Sequence, residues 1–244
     1  MKPQVKILLG GMVLIIVLFG IPLNYYVIAP GPVFSGERLV ATKAVEERPH
    51  IYAPSVKLYE MRLFSLWDSQ RFNKFNTNVF YFVYGKVHPG IDVNTMDEFL
   101  ERGITSDEFE RVMASLTQGS IDDIKAYVAA TLGIPEEKLD IDITLDGEGS
   151  SVSSALALEA VNQLGKEELT KGRKVAAVGK IDMHGNVYPV GAERYKVAAA
   201  DHAGMDIIFV SDQTDRAALE AVSTSVQVVQ VTSVDDAIQY LEGP

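Results

Sequence analysis

The sequence predicts an α/β fold, because apolar runs of strand length alternate with segments of helix length. The alternation is clearest at the carboxyl end, where strands are expected at 206–211 and 226–231 and helices at 215–222 and 234–241. Further upstream, residues 142–145 alternate like the end of a strand, and a long apolar segment of helix length follows them. Strands that alternate with helices in this way are typical of a sheet that carries helices.

The composition excludes several classes of function. The 244 residues carry a formal net charge of −11 and no basic cluster, so nucleic acid is not expected as a partner. The chain has no cysteine, which excludes disulfides, thiolate catalysis and cysteine zinc sites. The 4 histidines are far apart and form no metal-binding pattern, and the sequence contains no Walker-type phosphate loop. We therefore expect neither a metal nor another cofactor, and no ATPase.

The amino-terminal segment predicts a membrane anchor. Residues 7–28 are apolar almost throughout, and this length is enough to span a bilayer. Lys2 and Lys6 precede the apolar run, which places residues 1–6 in the cytoplasm and the rest of the chain outside it. A cleaved signal peptide is the alternative, but the run is long for one and no small-residue cleavage motif follows it. We expect an uncleaved, single-pass transmembrane helix in the cell membrane.

Residues 29–140 are expected to form an extracytoplasmic region of strands and helices. β-branched and aromatic residues predict its strands, and amphipathic periodicity predicts its helices. The segment 79–84 is the most hydrophobic, and it could belong to the core or could offer an edge strand to a peptide. The predicted strands are 39–44, 56–64 and 78–87, and the predicted helices are 94–102, 106–116 and 121–132.

A lysine lies within the apolar face of a helix that is predicted over 192–203. Lys196 is at helical spacing from Ala192, Ala199 and Ala200, whereas the charged residues of the segment fall on the other side. A buried ammonium has a lowered pKa, and a neutral lysine can take a proton from a serine. The alternative is that the Lys196 side chain extends past the small alanines into solvent.

A group of serines begins the apolar segment 150–164, directly after Gly149. The start of a buried helix offers free backbone N–H groups and the positive end of the helix dipole, which suit an oxyanion. The alternative is that Ser150 or Ser151 is only an N-cap residue. A serine and a buried lysine together are the two parts of a Ser-Lys dyad, which can cleave a peptide bond without histidine.

Two motifs in this half of the chain occur together. The first comprises Gly149, Ser151, Leu158, Glu159 and the run 162–164. The second comprises 179–182, 185–187, 190–191, 196–197, 199–201 and 203–204. In order and separation they resemble the serine and lysine motifs of the Lon-type peptidases, in the subgroup of membrane-anchored Lon-like proteases that lack an ATPase. The resemblance runs from about residue 141 to the carboxyl terminus.

The resemblance implies a Lon protease-like mixed sheet with helices over 141–244. It also implies an ATP-independent serine endopeptidase that acts on peptides or proteins outside the cytoplasm. Lon-type relatives often form rings, which leaves oligomerisation open. The implied site residues are the nucleophile Ser151 and the base Lys196, with Gly149, Ser150 and Val152 at the oxyanion and Glu148 at the border of the site.

The chain departs from the family pattern at several positions. Ser150, Val152 and Ser153 stand where the family has proline, alanine and glycine, and Val178 replaces a threonine beside the lysine. The interval 133–140 leaves no room for the PDZ domain that is inserted in the membrane-anchored relatives. The alternative hypothesis is therefore a catalytically degenerate Lon-like domain that binds peptides or proteins at the membrane.

Overall fold

The computed structural model describes residues 3–42, 48–59, 77–88, 90–95, 106–145, 149–220, 222 and 225–243. They divide into two compact units, of which the first comprises Met1–Ala29 with Lys57–Glu110 and the second Pro30–Val56 with Arg111–Pro244. The division is interleaved along the chain, whereas the domains that were predicted from the sequence are consecutive. The α/β fold class is confirmed in the second unit.

In its described residues, the first unit combines helices α1 (Pro3–Gly20) and α2 (Val79–Val87) with short antiparallel strand pairs. Strand β1 (Pro22–Leu23) pairs with β5 (Thr77–Asn78). The beginning of strand β2 (Tyr25–Ser35) pairs with β6 (Asp92–Thr95), from Tyr25↔Thr95 to Ile28↔Asp92. Val27, Ala29 and Ile91 form a small buried core, against which aromatic side chains pack. The elements are α1 Pro3–Gly20, β1 Pro22–Leu23, β2 Tyr25–Ser35, β5 Thr77–Asn78, α2 Val79–Val87 and β6 Asp92–Thr95.

The predicted transmembrane helix over 7–28 is wrong in its extent. Helix α1 ends at Gly20, and the residues from Pro22 onward are strands. Pro22 has no backbone N–H and biases Ile21 away from helical dihedrals, so the helix stops there although the apolar run continues. None of the helices in the part of the chain that the structure describes is long and apolar enough to cross a membrane.

The predicted strand over 78–87 is also wrong, because this segment is helix α2. The side chain of Asn78 caps the helix by accepting a hydrogen bond from the Tyr81 N–H group at 2.9 Å. Tyr81 and Tyr84 then pack on the core of the first unit, one turn apart. Burial of one helical face has overridden the strand propensity of these aromatic residues. The proposed edge strand at 79–84 therefore does not exist.

The second unit is built around parallel strands. Four strands lie side by side in the order β12 (Gln227–Val231), β11 (Ile207–Ser211), β8 (Val175–Ala177) and β4 (Ile51–Leu58), and neighbours in this order are parallel. Strand β2 lies next to β4. Strands β3 and β7 form a separate antiparallel pair, and β9 and β10 form a hairpin. The strands are β3 Val40–Thr42, β4 Ile51–Leu58, β7 Ile141–Ile143, β8 Val175–Ala177, β9 Lys180–Ile181, β10 Val187–Tyr188, β11 Ile207–Ser211 and β12 Gln227–Val231.

The helices of this unit cover the strands and close the core. The predicted helix over 150–164 is confirmed as helix α4, Ser153–Leu164, and it is buried along nearly its whole length. The two helices predicted at 106–116 and 121–132 are one helix, within which the Ser120 hydroxyl donates to the Leu116 carbonyl at 2.8 Å. The helices are α3 Ser106–Leu132, α4 Ser153–Leu164, α5 Glu193–His202, α6 Arg216–Glu220 and α7 Val234–Glu242.

The predictions for the carboxyl end and for two strands of the middle region are confirmed in kind and shifted in extent, whereas the helix predicted at 94–102 is not confirmed. The strand–helix alternation at the carboxyl end is present as β11, α6, β12 and α7. The strand expected at 39–44 covers Val40–Thr42, and the one expected at 56–64 is Ile51–Leu58 as far as the structure describes it. The helix expected at 94–102 starts on residues that belong to β6, and its other residues lie outside the described part of the chain.

Candidate active site

The serine turn is a single 3-10 turn, Gly149–Val152, that leads directly into α4. Its position is fixed by Gly179, which follows strand β8. The Gly179 N–H group donates to the Ser151 carbonyl at 3.0 Å, and the Ser154 N–H group donates to the Gly179 carbonyl at 3.1 Å. These two bonds hold the backbone on both sides of the Ser151 side chain in one place. Ser151 itself is partly buried.

Only glycine fits at position 179. Its φ is +152°, which side-chain-bearing residues rarely adopt. A Cβ placed there would lie 2.6 Å from Val187 Cγ1 and 3.3 Å from the Tyr188 carbonyl oxygen. Gly179 therefore allows the hairpin of β9 and β10 to approach the serine turn closely.

Ser153, where the family pattern has glycine, is part of this contact rather than an obstacle to it. Its hydroxyl donates to the Ser150 carbonyl at 2.8 Å and accepts from the Ile181 N–H group at 2.9 Å. The residue is completely buried. The hydroxyl thus joins the serine turn to strand β9, a role that a glycine could not have.

We expect Ser153→Ala to lower the free energy of unfolding by about 1–3 kcal/mol, because it leaves the buried Ile181 N–H group without a partner. Urea unfolding of the two proteins measures the loss. Ser150→Ala is the matched control, since the bond at this residue uses its backbone carbonyl and not its side chain. Equal stability of the Ser153 variant and the wild type would contradict this role.

Lys196 lies on α5 and is buried, with 5% of its surface exposed. The prediction that it belongs to the buried stripe of its helix is confirmed, and the side chain does not extend into solvent. The neighbouring Val197 and Ala200 pack in one cluster with Val178, the residue that precedes Gly179. The lysine helix thus shares a hydrophobic cluster with Val178, and the serine turn is hydrogen-bonded to the next residue, Gly179.

Burial lowers the pKa of Lys196 to about 8, and the nearby Glu193 carboxylate opposes this shift. Glu193 is itself buried, and its Oε1 accepts a hydrogen bond from the Val190 N–H group at 3.0 Å. The carboxylate therefore closes the turn before α5 and also limits how far the lysine pKa falls. Sequence periodicity placed Glu193 on the solvated side, so this role was missed.

The turn before α5 contains a strained residue. Ala192 has a φ of +63°, in the left-handed region that costs an ordinary residue about 1–2 kcal/mol. It is the N-terminal flanking residue of α5, four positions before Lys196. Strain of this kind persists where the surrounding structure holds the backbone, often at functional sites.

The other predicted site residues lie around the serine turn. Gly149, Ser150 and Val152 belong to the 3-10 turn itself, and the Val152 side chain is buried. Glu148 lies outside the described residues. The structure thus places the predicted oxyanion residues beside Ser151, while the direct contact between the Ser151 and Lys196 side chains stays a prediction.

Comparison with known proteins agrees with this arrangement. Residues 137–242 match the family described as the Lon protease (S16) C-terminal proteolytic domain. This part of the chain is similar to a Lon-type proteolytic domain. Its beginning lies close to the boundary at 141 that the sequence motifs predicted. The predicted Lon-like character is therefore confirmed, and the Lon-type domain includes the serine turn, the hairpin and the lysine helix.

Three curated relatives show how much of the chain is shared. A Lon protease of Trichlorobacter lovleyi is 31% identical over 96 residues, which cover 38% of this chain and 11% of the relative. The archaeal Lon protease of Methanothermobacter thermautotrophicus is 25% identical over 135 residues, covering 52% and 21%. That of Archaeoglobus fulgidus is 23% identical over 136 residues, covering 53% and 22%. The alignments thus span only 11% to 22% of these relatives.

Proposed function

We propose that the chain is a serine endopeptidase that cleaves peptides or proteins with a Ser151–Lys196 dyad and without ATP. The observation that supports it most strongly is the buried Lys196, whose pKa is lowered to about 8 within a Lon-type domain. A lysine of this kind is neutral in a useful fraction of molecules near neutral pH and can act as a general base. An exposed lysine could not do so.

The proposed reaction uses groups of this chain alone. Neutral Lys196 takes the proton of the Ser151 hydroxyl while the oxygen attacks the scissile carbonyl carbon. The resulting oxyanion accepts hydrogen bonds from backbone N–H groups between Gly149 and Val152. The Lys196 ammonium then donates its proton to the leaving amine, which departs and leaves an ester on Ser151. Water hydrolyses the ester and regenerates the hydroxyl.

A cleavage assay tests this proposal. The full chain is incubated with a mixture of unstructured peptides, and products are identified by mass spectrometry. We expect wild-type protein to cleave, Ser151→Ala to be inactive and Lys138→Met, at an exposed position outside the site, to retain activity. Activity that survives Ser151→Ala would place the nucleophile elsewhere. A folded wild-type protein that cleaves no peptide would favour the alternative, a Lon-like domain that binds peptides or proteins.

We expect the cleavage rate to follow the protonation of Lys196. The rate should rise with pH, because only the neutral amine accepts the serine proton, and the midpoint of the rise should lie at about pH 8. Initial rates at saturating substrate between about pH 6 and about pH 10 give the profile. A midpoint near about 6.5 would instead indicate a histidine as the base.

The membrane location also stays a proposal, and helix α1 supports it. Large apolar side chains of α1 are exposed, among them Ile7 at 75% and Leu8 at 70%. Surfaces of this kind on a protein usually bind lipid or another protein. We propose that α1 associates with the cell membrane and that the Lon-type domain lies outside the cytoplasm. Fractionation of cells, followed by protease treatment of intact cells, tests both parts separately.

A further inference from the structure

Helix α2 of the first unit has an apolar face that is exposed. Phe80, Val83 and Val87 are 38%, 51% and 73% exposed and recur at helical spacing, so they form one stripe. The side of the helix next to the stripe is occupied, since Tyr81 and Tyr84 pack against the small core of this unit. The stripe is therefore a defined surface of the fold and does not arise from a poorly packed helix.

The stripe is continuous with the apolar surface of α1. The rings of Phe19 and Phe80 stack with their centroids 4.9 Å apart, so the two helices meet there. The exposed apolar residues of α1 occur on all sides of that helix, at positions 5, 7, 8, 9, 12, 13, 14, 15, 16 and 17. A groove on a partner protein covers one side of a helix, whereas lipid can surround all sides, so this distribution favours lipid.

The charges of the segments that carry α1 and α2 also favour a lipid surface. In the described residues at 3–29, 57–59 and 77–95, the basic residues Lys6, Lys57 and Lys86 outnumber the one acidic residue, Asp92, in a chain whose net charge is −11. The other acidic residues described in this unit, Asp107, Glu108 and Glu110, lie at the start of α3. Lys86 Nζ lies 5.8 Å from the centre of the Phe82 ring and Lys57 Nζ lies 4.7 Å from that of Tyr59. Lysine next to aromatic rings is typical of the bilayer interface, and cations there attract anionic lipids.

We propose that the stripe of Phe80, Val83 and Val87 lies on the surface of an anionic lipid bilayer beside α1. Helix α2 is then an interfacial helix that rests in the headgroup region. This inference rests on the proposed membrane location, which it deepens by naming a second contact surface. It is independent of the peptidase activity.

The absence of cysteine makes a direct test practicable. A single cysteine is introduced as Val87→Cys and labelled with an environment-sensitive fluorophore, and the full chain is reconstituted with vesicles of phosphatidylcholine and phosphatidylglycerol. Quenching by spin-labelled lipids reports contact with the bilayer. Glu220→Cys, at an exposed position of the second unit, is the matched control. We expect lipid quenching at position 87 and none at position 220.

A second variant tests the energetic contribution. Val83→Glu with Val87→Glu places two carboxylates on the stripe, and we expect it to weaken binding to the anionic vesicles at least about fivefold. Val83→Gln with Val87→Gln separates the effect of charge from that of lost apolar area. Circular dichroism confirms that both proteins remain folded.

The outcomes are distinguishable. A chain that does not bind vesicles at all overturns the membrane location together with this inference. Binding with the probe at position 87 still in water overturns only the inference, because α1 then suffices. Shielding of the probe that depends on protein concentration and needs no lipid shows that a second copy covers the stripe, and this result also overturns the inference.

Discussion

We expect Lys196→Met to abolish peptide cleavage and at the same time to stabilise the protein. The variant removes the proposed general base, so the rate should fall by at least about a thousandfold. It also removes an ammonium that burial penalises, and methionine fills the same volume with an apolar chain. Since burial lowers the pKa of Lys196 from 10.5 to about 8, the stabilisation near neutral pH should be roughly 2–3 kcal/mol.

The pH dependence of stability gives this prediction its control. Between about 8 and 10.5 the unfolded chain holds a proton on Lys196 that the folded chain has released. The free energy of unfolding of the wild type therefore rises with pH between about pH 8 and 10.5, and the difference in stability between Lys196→Met and the wild type becomes smaller. Urea unfolding at several pH values measures the difference. A variant that is less stable than wild type at neutral pH would show that the ammonium is compensated by partners.

Exposed Lys138→Met is the matched control for the substitution itself, because this residue lies at the surface of a short 3-10 turn. We expect it to change neither cleavage nor stability by a measurable amount, in line with other surface substitutions. A similar stabilisation at both positions would mean that methionine acts through the unfolded state and not through burial.

The lysine helix could be predicted from sequence because its information is local. Small apolar residues at helical spacing around Lys196 define a buried stripe, and the flanking glycines mark its limits. The serine turn was found in the same way, from an apolar segment that begins after Gly149. Both features follow from patterns that repeat every few residues, and both are present in the structure.

The wrong predictions concern segments in which the apolar residues are not periodic enough to distinguish a helix from a strand. The run from Ile7 to Ile28 is apolar almost throughout, and such a run is compatible with a membrane span and also with a helix that is followed by strands. Only Pro22 indicated where the helix ends. At 79–84, aromatic residues favour a strand, and the decisive contacts of Tyr81 and Tyr84 with the core are tertiary.

Ser153 shows a third limit. The family pattern has glycine at this position, which carries no side chain. In the structure, its hydroxyl joins Ser150 to Ile181, and Ile181 lies 28 residues from Ser153 in the sequence. A contact between residues this far apart in sequence produces no periodic pattern, so the role of the Ser153 hydroxyl could be found only from the structure.

The same limit applies to a buried carboxylate on the helix that follows the serine turn. Glu159 is completely buried in α4, and its Oε1 lies 2.7 Å from His50 Nδ1. Its Oε2 accepts a hydrogen bond from the Ile51 N–H group, also at 2.7 Å. Burial raises the pKa of Glu159, while the bonds from Ile51 and His50 oppose that shift. The carboxylate thus joins α4 to the start of strand β4.

We expect Glu159→Ala to lower the free energy of unfolding by at least about 3 kcal/mol. It leaves a cavity and removes the hydrogen-bond partner of both the Ile51 N–H group and the His50 ring. Glu159→Gln should cost less, because an amide oxygen can still accept from Ile51. Chemical denaturation measures both. Glu220→Ala is the control, since Glu220 forms an exposed ion pair with Arg216 at 2.9 Å, worth less than about 1 kcal/mol.

The loss at Glu159 should also reach the site, because α4 carries the serine turn at its beginning. The other end of α4 is held by Arg48, whose guanidinium donates to the carbonyls of Asn162 at 2.7 Å and Gly165 at 3.0 Å. With Glu159 removed, the helix keeps this contact but loses its central one, and a small displacement of Ser151 is enough to slow the reaction. We therefore expect reduced cleavage by Glu159→Ala even where it is fully folded. A folded variant with wild-type activity would show that Glu159 stabilises the fold without positioning the serine.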